Sequence, residues 1–470
     1  MNMIRRENMR QSRSGYLSFA FAFLIYGGLL IAKIVEHVSG APMSAQWKWL
    51  LILNVLEALS WTLWIIKRHG IQIGPVFLLL PLVCTLYSTV PIVFLAAGLD
   101  IFPFPDVAIR SGMFMQSVMA THLWAFSSLI FSRRRGLQYV TRVNEWSNSL
   151  SVTHIGIRLF LLVGLAIAVL CFANFYTSGA AEMVGKSSRL ELMAAVETGK
   201  VWLLNLCFAS WLMTCAVLWN SNNARALLRV KHVFIALIAV AIFLYSYLPL
   251  GNRNEMTVAL IFICLLLCLR RRIRQVMVLA GVCLALLLYV GITREGSVAG
   301  LASENPVTLY LNLMGECVFP HFPLLSYLSS RHDLWFGWSY ARLPAMVMPT
   351  FGLWNKQASL ALQFAHEYGG LGGMGYAYTP LAEGIANFGV LGVIIVPAYL
   401  TMSGFTLLSS KIVAPVVFLV FVSISLNINR GEFSSIVQQL FIIAASMHCF
   451  LAMTRRRAGA GSYNMPQLGK

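Results

Sequence analysis

Six arginines in this chain stand singly beside apolar runs instead of in basic clusters: Arg189, Arg253, Arg294, Arg331, Arg342 and Arg430. An isolated guanidinium in such a place can grip a phosphate through two parallel N–H donors, without a metal. Two of them share a setting, Gly251-Asn252-Arg253-Asn254-Glu255 and Asn427-Ile428-Asn429-Arg430-Gly431-Glu432. In both, an Arg and a Glu sit at the mouth of a helix whose N-terminal dipole also favours anions. The plainer reading of each arginine is an interfacial anchor or the partner of a nearby glutamate. Proton acceptors occur in the same stretches, namely His321, His332, His366, Glu367 and Glu383. An imidazole of pKa about 6.5 is a better base near neutrality than a carboxylate of about 4.3 unless the carboxylate is desolvated, which ranks His366 ahead of Glu383. Each also has a structural alternative, because a histidine is favoured at a helix C-terminus and a carboxylate in a first turn.

Other chemistries lack their residues. There is no Walker loop, no His-Glu-x-x-His, no cysteine cluster and no Asp-x-Asp pair, and the only aspartates are Asp100, Asp106 and Asp333. An ATPase or a metal-dependent nucleotide-sugar transferase is therefore disfavoured, and neither a metal nor a cofactor is expected. Eight of the nine cysteines fall inside apolar runs and only Cys317 in a loop, which fits free, apolar thiols better than a disulfide framework.

The elements that must position these groups are membrane helices. Hydrophobic residues make up 58% of the 470 and charged residues 11%, against about 25% charged in a soluble domain. Mean hydropathy is +0.74. Twelve apolar runs can be drawn, at 16–36, 49–66, 75–98, 113–131, 156–176, 200–220, 233–250, 255–269, 275–292, 380–408, 412–428 and 433–453. The first, preceded by Arg5, Arg6, Arg10 and Arg13, reads as an uncleaved helix. Glu57, in the middle of the second run, must be a buried partner or a functional group. The net charge of +18 does not indicate nucleic acid, because the basic residues lie in short gaps between runs. With a cytoplasmic N-terminus, 23 of the 35 lysines and arginines fall on the cytoplasmic side, as the positive-inside rule requires.

The chain thus reads as an all-α polytopic membrane protein with about twelve transmembrane helices. Helices one to nine occupy 1–292, an outer loop 293–379, helices ten to twelve 380–453, and a cytoplasmic tail 454–470. A loop of that length is usually functional, and this one is too aromatic to be disordered. Within it, Asn355 is a candidate N-cap for a short helix ending at Tyr368, which places His366 near its end. Thr379-Pro380 then opens the tenth span as N-cap and first helical residue.

The stretch Tyr340-Ala341-Arg342-Leu343-Pro344, Met348-Pro349, Trp354-Asn355-Lys356 and Pro380-Leu381-Ala382-Glu383-Gly384-Ile385-Ala386-Asn387-Phe388-Gly389-Val390-Leu391-Gly392 resembles the Wzy-type oligosaccharide repeat-unit polymerases. Gly251-Asn252-Arg253 and Asn429-Arg430-Gly431 look like the other arginine elements of that family, while Trp354-Asn355-Lys356 replaces its commoner Pro-Lys turn. The resemblance implies a GT-C-like, metal-independent inverting glycosyltransferase of the bacterial inner membrane with its active site on the periplasmic face. It would transfer a growing chain from its undecaprenyl diphosphate to the non-reducing end of a new lipid-linked repeat. Arg253, Arg342, Arg430 and Arg189 would hold the diphosphate, with His366 or Glu383 as base. Expected partners are lipid-linked oligosaccharides, the bilayer, and a chain-length regulator and a flippase of the same pathway. Two other readings stand beside this one: an O-antigen ligase acting on lipid A core, and a flippase or secondary transporter.

Overall fold

The computed structural model of the chain describes residues 21–39, 42–184, 196, 198–250, 254–293, 317–330, 333–347, 359–367 and 377–454. Every regular element among the described residues is helical, as lipid demands of a spanning backbone that must satisfy its own N–H and C=O groups. The first half comprises α1 Phe21–Val38, α2 Met43–His69, α3 Gly74–Ala96, α4 Asp106–Ile130, α5 Arg133–Asn148, α6 His154–Thr177, α7 Ala180–Met183, α8 Thr198–Asn220, α9 Asn222–Leu227 and α10 Val230–Tyr247. The second comprises α11 Asn254–Leu269, α12 Ile273–Thr293, α13 His321–Ser329, α14 Trp338–Ala341, α15 Leu343–Val347 and α16 Leu360–Glu367. It closes with α17 Pro380–Phe388, a 3₁₀ turn Gly389–Leu391, α18 Gly392–Ser409, α19 Val416–Ser423, α20 Ser425–Ile428 and α21 Phe433–Thr454.

Eight helices among the described residues are long and apolar enough to cross a membrane: α1, α2, α3, α6, α8, α10, the run from α17 through α18, and α21. The other four expected spans correspond to α4, α11, α12 and the pair α19–α20. With 25 residues α4 has the length, but its buried Gln116, Ser117, Thr121, His122, Ser127 and Ser128 make it less apolar. The helix α11 has only 16 residues. The run 412–428 is two short helices of eight and four residues, interrupted at Ile424.

The tenth expected span is also interrupted. Thr379 caps α17 through its hydroxyl, which accepts from the Ala382 N–H at 3.0 Å, and Pro380 occupies the first turn as the sequence predicts. Nine residues later Gly389 takes φ 59° and ψ −145°, a backbone conformation open in practice only to glycine, and the helix stops. A Cβ on Gly392 would fall 2.4 Å from the carbonyl carbon of Gly384. Residues eight apart in a straight helix are separated by about 12 Å, so the chain folds back sharply here and lays α17 against α18.

The basic gaps gather at one end of the bundle. Arg68 Nη1 donates to the Ser128 carbonyl at 3.2 Å, and Gln72 Nε2 to that of Leu269 at 2.5 Å. Arg270 donates to Ser147 Oγ, Asn223 to the Asn148 carbonyl, Tyr139 to that of Pro415, and the Thr153 N–H to that of Thr454. Six connections that are distant in sequence are thereby tied together.

Within the bundle, α1 docks on α2 and α4 through charge. Lys33 Nζ lies 2.7 Å from Glu57 Oε2 with both side chains fully buried, and Lys33 also donates to Thr121 Oγ1 at 2.8 Å and the Ser117 carbonyl at 3.2 Å. Of the two roles open to Glu57, the structure assigns that of a buried partner. Around this pair the aromatic core closes, with Trp61 stacked on Trp124 at 6.5 Å between centroids.

Candidate functional site

At the end opposite the basic gaps, α17 carries a polar face into an apolar interior. Glu383 and Asn387 lie one turn apart and are both buried. Two backbone bonds bring the preceding loop over them: the Trp335 N–H donates to the Ala386 carbonyl at 3.0 Å and the Phe336 N–H to that of Asn387 at 3.1 Å. Phe336 and Gly337 both take positive φ, at 47° and 84°, and this turn starts α14 directly above the pair. Ser339 then completes a chain of donors. Asn387 Nδ2 donates to Ser339 Oγ at 2.7 Å, and the Ser339 hydroxyl donates to Glu383 Oε1 at 2.6 Å. The other carboxylate oxygen, Glu383 Oε2, accepts from the backbone N–H of Phe433 at 2.8 Å, at the start of α21.

A second carboxylate lies beside it. Glu432 accepts from the Leu360 N–H, the first residue of α16, and from the Ser434 hydroxyl. It therefore ties the helix bearing His366 to the mouth of α21. Carboxylates are favoured at helix N-termini, and here Glu383 serves α21 while Glu432 serves α16. Glu383 is electrostatically coupled both to Glu432 and to Arg342. The Arg342 guanidinium lies over the Trp338 ring, 4.4 Å from its centroid, half-buried at the rim.

Tyrosines close the surroundings. Tyr340 stacks on Phe388 at 5.7 Å and meets Phe433 edge-on at 5.6 Å, and the Tyr378 hydroxyl donates to Tyr327 at 2.7 Å. Burial, and then the nearby Glu383 charge, push the Tyr340 hydroxyl above the usual tyrosine range. Tyr378 shifts the same way, by burial first, then by Tyr327 and the two glutamates. Both are O–H donors at neutral pH.

The two Arg–Glu mouths singled out in the sequence meet one another. Arg430 Nη1 donates to Asn254 Oδ1 at 2.9 Å, and the next residue, Glu255, accepts from the Tyr247 hydroxyl at 2.8 Å. Arg430 is coupled to Glu255 as well, so it bridges α11 to the α20–α21 turn, two residues from Glu432. Gly431 keeps that turn tight, since a Cβ there would lie 3.0 Å from the Asn427 carbonyl oxygen.

Of the other expected site residues, Arg189, Arg253, Arg294, Arg331, His332 and the turn at Asn355 and Lys356 lie outside the described residues. His366 and Glu367 belong by backbone to the last turn of α16, and their side chains lie outside the described set. His321 is elsewhere in its contacts. It is fully buried with Nδ1 3.3 Å from the Val318 carbonyl, its ring is 6.4 Å from Phe102, and burial pushes its pKa down to about 4. It is a core histidine of the α13 packing. Sequence reasoning missed Ser339 and the helix-tying role of Glu432. The usable signal was Glu383-x-x-x-Asn387, whose spacing puts two polar groups on one face of a helix otherwise made of apolar and small residues.

No protein-family model, curated protein or solved structure matches this chain.

Proposed function

We propose that the chain is a membrane-embedded glycosyltransferase of the Wzy type, lengthening a polysaccharide from undecaprenyl-diphosphate-linked repeats at the outer face of the bacterial inner membrane. The observation that carries this reading is the convergence, at the end opposite the basic gaps, of a buried carboxylate held by neutral donors with two arginines on separate loops. Charge asymmetry of the two ends supports the orientation, with the basic end in the cytoplasm. Arg342 and Arg430, joined by Arg253 and Arg189, offset the charge developing on the departing lipid diphosphate. Glu383, or His366 from α16, takes the proton of the attacking acceptor hydroxyl, a role worth typically 10²–10⁴-fold. The new glycosidic oxygen–carbon bond forms as the anomeric carbon–phosphate oxygen bond breaks, with inversion, and the diphosphate leaves with the electron pair.

Purified protein incubated with its lipid-linked repeat in EDTA, without nucleotide, should yield a ladder of lengthened lipid-linked chains. Transfer of preformed chains to lipid A core without a ladder would identify a ligase instead. The Lys33–Glu57 pair and the interrupted spans also suit a flippase, which would move a labelled lipid-linked repeat across vesicles without lengthening it.

A further inference from the structure

The basic end holds a cleft of about 640 Å³ between the middle of α5, the loop joining α18 to α19, and the last turns of α21. Its polar lining is Arg142, Lys411, His448 and one acid, Glu145. Arg142 is already oriented, because Nη1 donates to the Leu408 carbonyl at 2.9 Å and Nη2 to that of Ser410, which fixes the guanidinium at the C-terminus of α18. Lys411 and His448 are exposed, and the sequence continues from α21 directly into Arg455-Arg456-Arg457. Beside this positive rim stand apolar side chains that water does not favour. Ile412 is 97% exposed at the loop tip next to Lys411, with Val413 also exposed, and the half-buried Trp146 lines the wall. Both α18 and α21 end a bilayer-crossing run at this level, so the cleft sits at the membrane interface.

From this arrangement we infer that the cleft is a binding site for an anionic phospholipid. The headgroup phosphate lies between Arg142, Lys411 and His448, and the acyl chains run along Ile412, Val413 and Trp146. A positive pocket between helices at the cytoplasmic interface meets the negative surface potential of that leaflet, and a free phosphate would leave the apolar half of the cleft unfilled. This inference does not depend on what the opposite end catalyses.

The test uses full-length protein, delipidated in detergent and then offered phosphatidylglycerol or phosphatidylcholine, with bound lipid counted by native mass spectrometry. Phosphatidylglycerol should be retained in clear preference. Lys411→Gln should weaken that retention roughly fivefold, as expected for one lysine near the headgroup. Lys411→Arg should preserve it, and Ile412→Asn should weaken it without changing the melting temperature. His448→Gln is the second variant should Lys411→Gln fail to fold, and it should weaken retention in the same direction. Equal retention of the two lipids, or Lys411→Gln and His448→Gln both indistinguishable from the parent, would overturn the assignment. So would competition by glycerol 3-phosphate as strong as that of the whole lipid, which would reveal a site for a free anion.

Discussion

Two buried glutamates divide the molecule into regions with different electrostatic solutions. Glu57 lies among α1, α2 and α4 with Lys33 at 2.7 Å, so its charge is cancelled in place. Glu383 is equally hidden, but its hydrogen-bond donors among the described residues are neutral, a serine hydroxyl and a backbone N–H, with Arg342 acting on it at longer range. A lysine paired inside the bundle finishes the local chemistry. Neutral donors hold a carboxylate in position while leaving it able to exchange a proton or answer a charged visitor. The arginines differ in what they serve: at the basic end Arg68, Arg142 and Arg270 tie one connection to another, whereas Arg342 and Arg430 lie close to the buried carboxylates Glu383 and Glu255.

The comparison breaks most visibly by exchanging a single atom in each carboxylate. Glu383→Gln should cost about 10²–10⁴-fold in polymerisation rate while the folded yield stays normal. Glu57→Gln should lower the melting temperature and leave the rate per folded molecule nearly intact. If Glu383→Gln keeps its rate while His366→Ala is dead, the base is His366; if both retain activity, the region positions substrate and the hydroxyl is activated elsewhere. A stability measurement sharpens the other half. Lys33→Met alone should destabilise by about 3–5 kcal/mol in thermal unfolding, because it strands a buried charge, whereas Lys33→Met with Glu57→Leu should return most of that loss.

Arg342→Lys should reduce the rate on the order of a hundredfold at unchanged membrane level, since the ammonium keeps the charge but loses the planar fork. A near-parental rate would make Arg342 an anchor like those at the basic end. The smallest effect concerns His321, another buried ionisable group, whose described partners include a backbone carbonyl and the Phe102 ring. Its folded pKa of about 4 lies below the ordinary 6.5, so the unfolded chain takes up the proton first. Stability is therefore complete above 6.5 and declines as pH falls from 6.5 towards about 4. His321→Phe should flatten that acid limb in a melting-temperature profile.

Much of this arrangement is legible in the residues. Apolar run length marks eight of the twelve expected spans, Thr379-Pro380 marks the start of α17, and the Arg–Glu mouths at 253–255 and 430–432 flag regions that the fold joins through Arg430 and Asn254. What the sequence conceals depends on contacts across loops. Nothing local distinguishes Ser339 from the other serines of the loop, because its role exists only once the Phe336–Gly337 turn folds it over α17. Nor does hydropathy reveal a break at Gly389, since the residues on both sides are apolar and only the backbone angle stops the helix. The partner of Glu57 is hidden for the same reason: Lys33 lies 24 positions earlier, with no spacing that pairs them.

The interruption of the last spans bears on how the protein is made. Helices α19 and α20 have eight and four residues, about 20 Å end to end even if aligned, against a hydrocarbon core of about 30 Å. A nascent segment of that length does not commit itself to the bilayer as it leaves the ribosome. On length alone it should insert together with α21, packed against α18. The carboxylates Glu383 and Glu432 are therefore brought together only after α21 has been made, so this candidate site forms after the earlier helices of the bundle.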